Sequence, residues 1–154
     1  MWDKVHNLIS LIKDADFLGL EDVKDEGIKI LISNLDSQNA LDAYHLSKIC
    51  NNILLKHKTQ ILILQNFDIV SETDEFLNLD VTSLKDILFT CPRIHCTEKI
   101  FQGILRWITA GLEDRKSYLH DLFRLVYFAF IKPDNFTRIA ATNGSILTTS
   151  NEHK

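Results

Sequence analysis

The sequence predicts an all-α fold, and three observations carry that expectation. Apolar residues recur at i, i+3, i+4 and i+7, the spacing that lines one face of a helix. The clearest stripes begin at Val5, Leu46, Leu84, Phe101 and Leu119. The chain has five glycines and two prolines in 154 residues, too few for the many tight turns of an all-β domain. The apolar segments are separated by brief breaks and suit helices of about 10–14 residues. Short antiparallel helix pairs, stacked as a bundle or small solenoid, follow from this pattern, although no fixed sequence period marks a repeat.

Val5, Leu8, Ile9 and Ile12 form the first stripe, and Gly19 ends it because glycine tolerates the left-handed cap conformation. A second helix carries Val23, Gly27, Ile30 and Leu31, breaks at residues 35–38, and leaves Asn39 to cap the next helix. Leu46, Ile49, Cys50 and Ile53 read as a third stripe, with Leu41 and Tyr44 leading into it. Residues 53–64 are apolar on most sides, interrupted by Lys56, His57 and Lys58. Two strands, 53–55 and 61–64, would also fit their length, but no turn residues separate the halves, so one helix is expected.

A connection at 66–70 leads to a short helix around 73–79. There Thr73 is placed to cap, and Asp74 and Glu75 suit the positive end of the helix dipole. Leu84, Ile87, Leu88 and Cys91 mark another helix, stopped by Pro92, which can neither donate a backbone hydrogen bond nor follow a helical residue easily. Thr97 or Cys96 opens a helix with Ile100, Phe101, Ile104, Trp107 and Ile108, closed by Gly111. Leu119, Leu122, Phe123 and Val126 make a further stripe. Pro133 and Asp134 start a last short helix through Phe136 and Ile139, and the polar residues from Thr142 onward read as a flexible tail.

Composition narrows the function classes. Hydrophobic residues are 45% and charged residues 25%, the mix of a soluble globular protein. At this length roughly 70% of the unfolded surface can be buried without help from a metal or disulfide. The net charge is −4, so no surplus of cations is available for phosphate contacts, and no nucleic-acid partner is expected. Gly19, Gly27, Gly103, Gly111 and Gly144 are too widely spaced for a phosphate-cradling loop. Three cysteines, an odd number, fit a reducing compartment, and the N-terminus does not read as a signal peptide. The expected location is the cytoplasm, with the nucleus as the other option. The apolar runs at 61–64 and 125–131 fall far short of the about 20 residues that cross a bilayer, so no membrane partner is expected.

The chemistry-bearing residues have simpler explanations than catalysis. Cys91, His95 and Cys96 offer three ligands where a closed zinc site needs four, so no metal is expected. Glu72, Asp74 and Glu75 are explained by a helix start rather than by paired catalytic carboxylates. His45 and His120 have no Ser or Cys nucleophile in a strained Gly-rich turn to serve. Trp107 and Phe101, at helical spacing, belong to a core. Neither a catalytic residue nor a cofactor is expected, and the residues alone point to a binding or scaffolding module rather than an enzyme.

Two groups of motifs carry a family resemblance. Asn66-Phe67-Asp68-Ile69-Val70 followed by Glu75-Phe76-Leu77-Asn78-Leu79 resembles the BACK domain of BTB–Kelch proteins. So do the run from Ile100 to Ile108 (IFQGILRWI), then Arg115, and the run from Leu119 to Val126 (LHDLFRLV). Leu11-Ile12, the run from Ala15 to Leu20 (ADFLGL) and Val23 resemble the last two helices of a BTB domain, which lead into BACK. The resemblance implies C-terminal BTB-like helices at 1–35, a BACK-like helical bundle at 39–136 and a tail at 142–154. The BTB sheet and dimerisation helices would precede Met1, and no Kelch repeats follow Phe136, so a BTB tail plus BACK is expected.

By that resemblance the chain is a non-catalytic scaffold module of a substrate adaptor for a cullin–RING ubiquitin ligase. Such a module links a cullin-binding BTB part to a substrate-binding Kelch part. The first BACK helix pair would complete a cullin groove, which assigns the partner-binding residues to Leu41, Tyr44, Leu46 and Ile49. Oligomerisation would run mainly through the BTB part. The alternative is a BACK-type module of a cytoskeletal, actin-associated or oligomeric Kelch-family scaffold with no ubiquitin role. The fold class is directly testable: the far-ultraviolet circular dichroism spectrum of the purified chain should be dominated by helix, and a strand-dominated spectrum would contradict it.

Overall fold

The computed structural model describes residues 2–90, 97–126 and 132–144. Every regular element among them is helical, and the chain divides into two compact units, residues 1–65 and 66–154. The first unit is built from α1 (Trp2–Phe17), α2 (Glu21–Ser33), α3 (Ala40–Ile49) and α4 (Ile53–Gln65). Helices α1 and α2 form one hairpin and α3 and α4 a second, with α1 against α3 and α2 against α4.

Their shared core is Ile9, Ile12, Ile28, Leu31, Ala43, Leu46 and Leu55. Full burial of each large aliphatic side chain is worth about 1.5–3 kcal/mol. Gly27 lets α2 close on α1, since a Cβ there would lie 2.7 Å from Ile12 Cγ1.

Three local expectations are corrected here. The buried stripe of α2 is Gly27, Ile28 and Leu31, while Val23 and Ile30 stay exposed. The helix therefore presents residue 28, not 30, to the core of the first unit. Asn39 does precede α3, but its backbone is already helical and its side chain makes no cap bond. Its Oδ1 accepts from the Asp36 N–H at 2.9 Å and its Nδ2 donates to the Asn34 carbonyl at 2.9 Å, which closes the α2–α3 link. The stripe read from Leu46 to Ile53 is not continuous: the chain turns at residues 50–52, and Ile53 begins α4. The single helix expected over 53–64 is present as α4.

The second unit holds α5 (Phe67–Val70), α6 (Asp74–Leu77), α7 (Val81–Phe89), α8 (Thr97–Thr109), α9 (Leu112–Arg115), a 3-10 turn (Lys116–Tyr118), α10 (Leu119–Phe123) and α11 (Pro133–Thr142). The stretch expected as a connection at 66–70 is itself a helical turn, α5. Thr73 caps α6 by accepting from the Phe76 N–H, and Asp80, not anticipated as a cap, does the same for α7 through the Ser83 N–H at 2.8 Å. Gly111 lies beyond the end of α8, and its carbonyl starts α9 by accepting from the Arg115 N–H at 2.9 Å. Cys91, Pro92, His95, Cys96 and nearly all of the expected tail lie outside the described residues.

Helix α8 is the hub of this unit, packing on α5, α6 and α10. Ile100, Phe101, Ile104, Trp107 and Ile108 are all buried, as their spacing predicts. Trp107 donates from Nε1 to the Leu79 carbonyl at 2.8 Å, so its one polar atom is satisfied inside the core. The Arg115 guanidinium lies 4.3 Å from the Trp107 ring centroid and donates to the Trp107 carbonyl at 2.7 Å. That couples a cation–π contact to a helix-end hydrogen bond. Gly103 admits the fully buried Phe67 ring, which packs edge-to-face on Phe76 at 5.3 Å; a Cβ on residue 103 would overlap Phe67 Cε1.

Two stability measurements follow. Trp107→Ala should cost about 3–5 kcal/mol in chemical denaturation, from lost burial plus a cavity. Gly103→Ala should lower the melting temperature even though alanine is the better helix former by about 1 kcal/mol, because the displaced aromatic ring costs about 1–3 kcal/mol. A gain in stability from Gly103→Ala would show that Phe67 has room to move.

Candidate protein-interaction surface

At one end of the first unit both hairpins turn, and both turns use the same device. The α1 C-terminus closes with the Leu20 N–H donating to the Ala15 carbonyl at 2.8 Å and the Gly19 N–H donating to Asp16 at 3.2 Å. This pair of bonds is a Schellman motif, with Gly19 at φ 69° in the left-handed position. The α3 C-terminus repeats it. The Asn52 N–H donates to the Ser47 carbonyl at 2.9 Å and the Asn51 N–H to Lys48 at 3.4 Å, with Asn51 at φ 49°. Asparagine is among the few non-glycine residues that adopt this conformation readily. Asn52 Oδ1 then accepts from the Leu55 N–H at 2.8 Å and caps α4.

The α1–α2 corner is further tied by Lys24, whose side chain is only 13% exposed. Its ammonium bridges Asp16 on α1, at 3.2 Å, and Glu21 at the start of α2. The hydrogen bond to Glu21, with the one to Asp16, holds the Lys24 pKa above its ordinary value. The two corners share one end of the bundle. Burial pushes the Cys50 thiol pKa up, and the Asp16 carboxylate across the hairpin boundary adds to that shift.

These tight corners leave large apolar side chains in solvent. Phe17 is 89% exposed, Leu18 65% and Leu20 49% at the first corner; Ile53 is 80% exposed, with Leu54 and Ile49 more than half exposed, at the second. Scattered single apolar residues on a surface are ordinary; the group at these two corners is the candidate contact surface.

Of the residues assigned to a partner groove from the sequence, only Ile49 belongs to this surface. Leu41, Tyr44 and Leu46 are buried in the helix packing. The missed residues are Phe17, Leu18, Ile53 and Leu54. Their signal in the sequence was Gly19 and the pair Asn51-Asn52, which place the helix ends and so decide which apolar residues fall beyond the core.

The second unit carries a different feature, an open cleft of about 680 Å³ between α8 and α11. Arg106 on its wall donates to Ser71 Oγ at 2.8 Å and pairs with Glu72 at 3.2 Å. Glu72 is thus an ion-pair partner on the cleft, whereas Asp74 and Glu75 are exposed in the first turn of α6. Nearby, the Lys99 ammonium 2.7 Å from Asp68 holds that carboxyl below the usual range. His45 is exposed with its ring against Tyr44, and His120 is exposed on α10. Among the described residues no cluster of His, Cys, Asp and Glu is placed to hold a metal ion, and no helix is long and apolar enough to cross a membrane.

The family model described as BACK, "BTB And C-terminal Kelch", matches residues 40–141. The chain belongs to that family. The BACK match covers the α3–α4 hairpin and most of the second unit. Among curated proteins, this BACK chain is similar to Kelch-like protein 38 of Homo sapiens, at 28% identity over 144 residues, 94% of the chain and 25% of the relative. It is also similar to Kelch-like protein 25 of Homo sapiens, at 30% over 129 residues, 83% of the chain and 22% of the relative. Kelch-like protein 24 of Rattus norvegicus is 26% identical over 133 residues, 86% of the chain and 22% of the relative. The chain therefore spans about a quarter of the length of the curated relatives it matches.

The surface makes a clear stability prediction. Phe17→Ser and Ile53→Ser should each leave the unfolding free energy within about 0.5 kcal/mol of the parent, because both side chains are already in water. Leu46→Asp should unfold the first unit by placing a carboxylate in its core. Chemical denaturation of the three variants checks both halves.

Proposed function

We propose that this BACK chain is a non-catalytic scaffold module of a substrate adaptor for a cullin–RING ubiquitin ligase, acting in the cytoplasm or nucleus. Family membership supports a scaffold role. The observation that carries the contact itself is the apolar end formed by Phe17, Leu18, Ile49 and Ile53, exposed on corners closed by Schellman hydrogen bonds. A side chain held on such a corner has little conformational freedom left to lose on binding. In this reading Ile49, rather than the buried Leu41, Tyr44 and Leu46, meets the cullin. Linkage to a substrate reader and assembly through a BTB part belong to the same proposal.

Calorimetry with the purified N-terminal region of a BTB-recruiting cullin tests it. The 154-residue chain should bind no more tightly than micromolar, because only part of the expected contact is present to offset the cost of association. A family BTB domain fused ahead of residue 1 should give clear binding, weakened by Ile49→Asp. A folded fusion that does not bind would transfer the assignment to a cytoskeletal or oligomeric Kelch-family scaffold.

A further inference from the structure

The α8–α11 cleft belongs to the second unit and takes no part in the proposed function. Gln102, Leu105, Arg106 and Thr109 line it from α8, at the spacing of one helix face. Leu77, Leu105 and Ile139 supply its apolar lining. Its charged lining is Arg106, Arg138 and Glu72, net positive in a chain whose net charge is −4. A volume of about 680 Å³ is that of a ligand site.

Three polar groups in the cleft have capacity that the chain does not use. A guanidinium has five N–H donors. That of Arg106 gives one hydrogen bond to Ser71 Oγ and one contact to Glu72, and no other partner for it occurs among the described residues. Asn143 donates through Nδ2 to the Ile139 carbonyl at 3.0 Å, which leaves its Oδ1 to accept. The Gln102 amide, which can both donate and accept, makes no side-chain hydrogen bond among the described residues.

We propose that this cleft binds an extended segment of a partner protein in which an acidic residue lies beside apolar ones. The carboxylate pairs with the Arg106 guanidinium through charge-assisted hydrogen bonds, and an apolar side chain covers Leu77, Leu105 and Ile139. Gln102 and Asn143 take the backbone of the segment. From Gln102 to Thr109 the helix rises about 10 Å at about 1.5 Å per residue, the length of about three residues of extended chain. Extended backbone is the fitting form because its N–H and C=O groups are open to side-chain amides, whereas a helix has spent its own. Glu72 stands on Arg106 as the chain's own counterpart of the incoming carboxylate, so the two compete. The inference rests on the cleft alone and not on the partner of the first unit being a cullin.

The probe is a dye-labelled peptide, Ser-Leu-Glu-Leu-Glu-Ser, with both ends blocked. Its control forms carry Gln for both Glu, Lys for both Glu, or Ser for both Leu. Affinity is read by fluorescence anisotropy on the 154-residue chain, and the contact is mapped by amide chemical shifts. The acidic peptide should bind about fivefold more tightly than the Gln form at low ionic strength, as one or two surface ion pairs allow. That margin should shrink at high salt, the Lys form should be weaker than the Gln form, and the Ser form should be about tenfold weaker than the parent. Shifts should centre on residues 102–109 and 139–143.

Three variants assign the contacts. Gln102→Ala should weaken the acidic peptide about threefold without lowering the melting temperature, because its side chain holds nothing else in the chain. Arg106→Gln should abolish the preference for Glu over Gln. It should still fold, since Ser71 Oγ keeps its bond to the Asp68 carbonyl at 3.4 Å and Glu72 is 67% exposed. Glu72→Gln should tighten the acidic peptide about threefold by freeing Arg106. A purely structural Arg106–Glu72 pair predicts no change in peptide affinity from that variant. Equal affinities for the Glu and Gln peptides, unchanged or weaker binding by Glu72→Gln, or shifts centred on residues 17–20 and 49–54 would overturn the inference. Unchanged binding by Gln102→Ala would remove the backbone contact and with it the extended form. Each of these outcomes is read whether or not the first unit binds a cullin.

Discussion

A chain of short helices must satisfy the backbone groups left open at every helix end, and this requirement shapes the rest of the molecule. Each helix leaves four N–H and four C=O groups without intrahelical partners. Here several helices are only four or five residues long, so most of their backbone is an end. The molecule meets part of that demand with local devices at several junctions. Left-handed Gly19 and Asn51 close α1 and α3; Asn52, Thr73 and Asp80 cap α4, α6 and α7; and the Arg115 guanidinium takes up the Trp107 carbonyl. Among the described residues no buried side-chain nitrogen or oxygen lacks a hydrogen-bond partner.

The same devices generate the candidate contact surface. A Schellman turn stops a helix abruptly, so apolar residues in the last turn are carried past the edge of the packed core instead of being folded into it. Phe17 and Leu18 are stranded in this way at one corner and Ile49 at the other, where Ile53 and Leu54 open α4 just beyond the turn and are also exposed. Rigidity and exposure thus have one origin. In the second unit Trp107, Phe101, Phe67 and Phe76 are buried around α8, while Phe89 at the end of α7 stays in solvent.

Much of the architecture was legible because burial at helical spacing is a local, repetitive signal. The α8 stripe, the α1 stripe with its glycine stop, the Thr73 cap and the Pro133 start all follow from residue type and position. The candidate site was less legible for a physical reason. Leu41, Tyr44, Leu46 and Ile49 are all apolar or aromatic residues on one short helix, and periodicity cannot tell which of them faces a neighbour and which faces water. The answer depends on the α3–α4 turn at Asn51-Asn52, where a single left-handed residue ends the stripe that the spacing alone would extend to Ile53.

The sequence by itself determined the all-α class, most helix positions, the membership of the α8 core and the family resemblance, because each rests on short-range pattern or on motifs read in order. The tertiary structure decided which apolar residues are core and which are surface: Ile28 over Ile30 in α2, Leu46 over Ile49 in α3, and the exposure of Phe17 at the end of α1. It also decided that Asn39 closes a loop while Asn52 caps a helix. Residue types permit both outcomes in each case, and the choice is made by what packs opposite, a long-range fact that no local window of the chain contains.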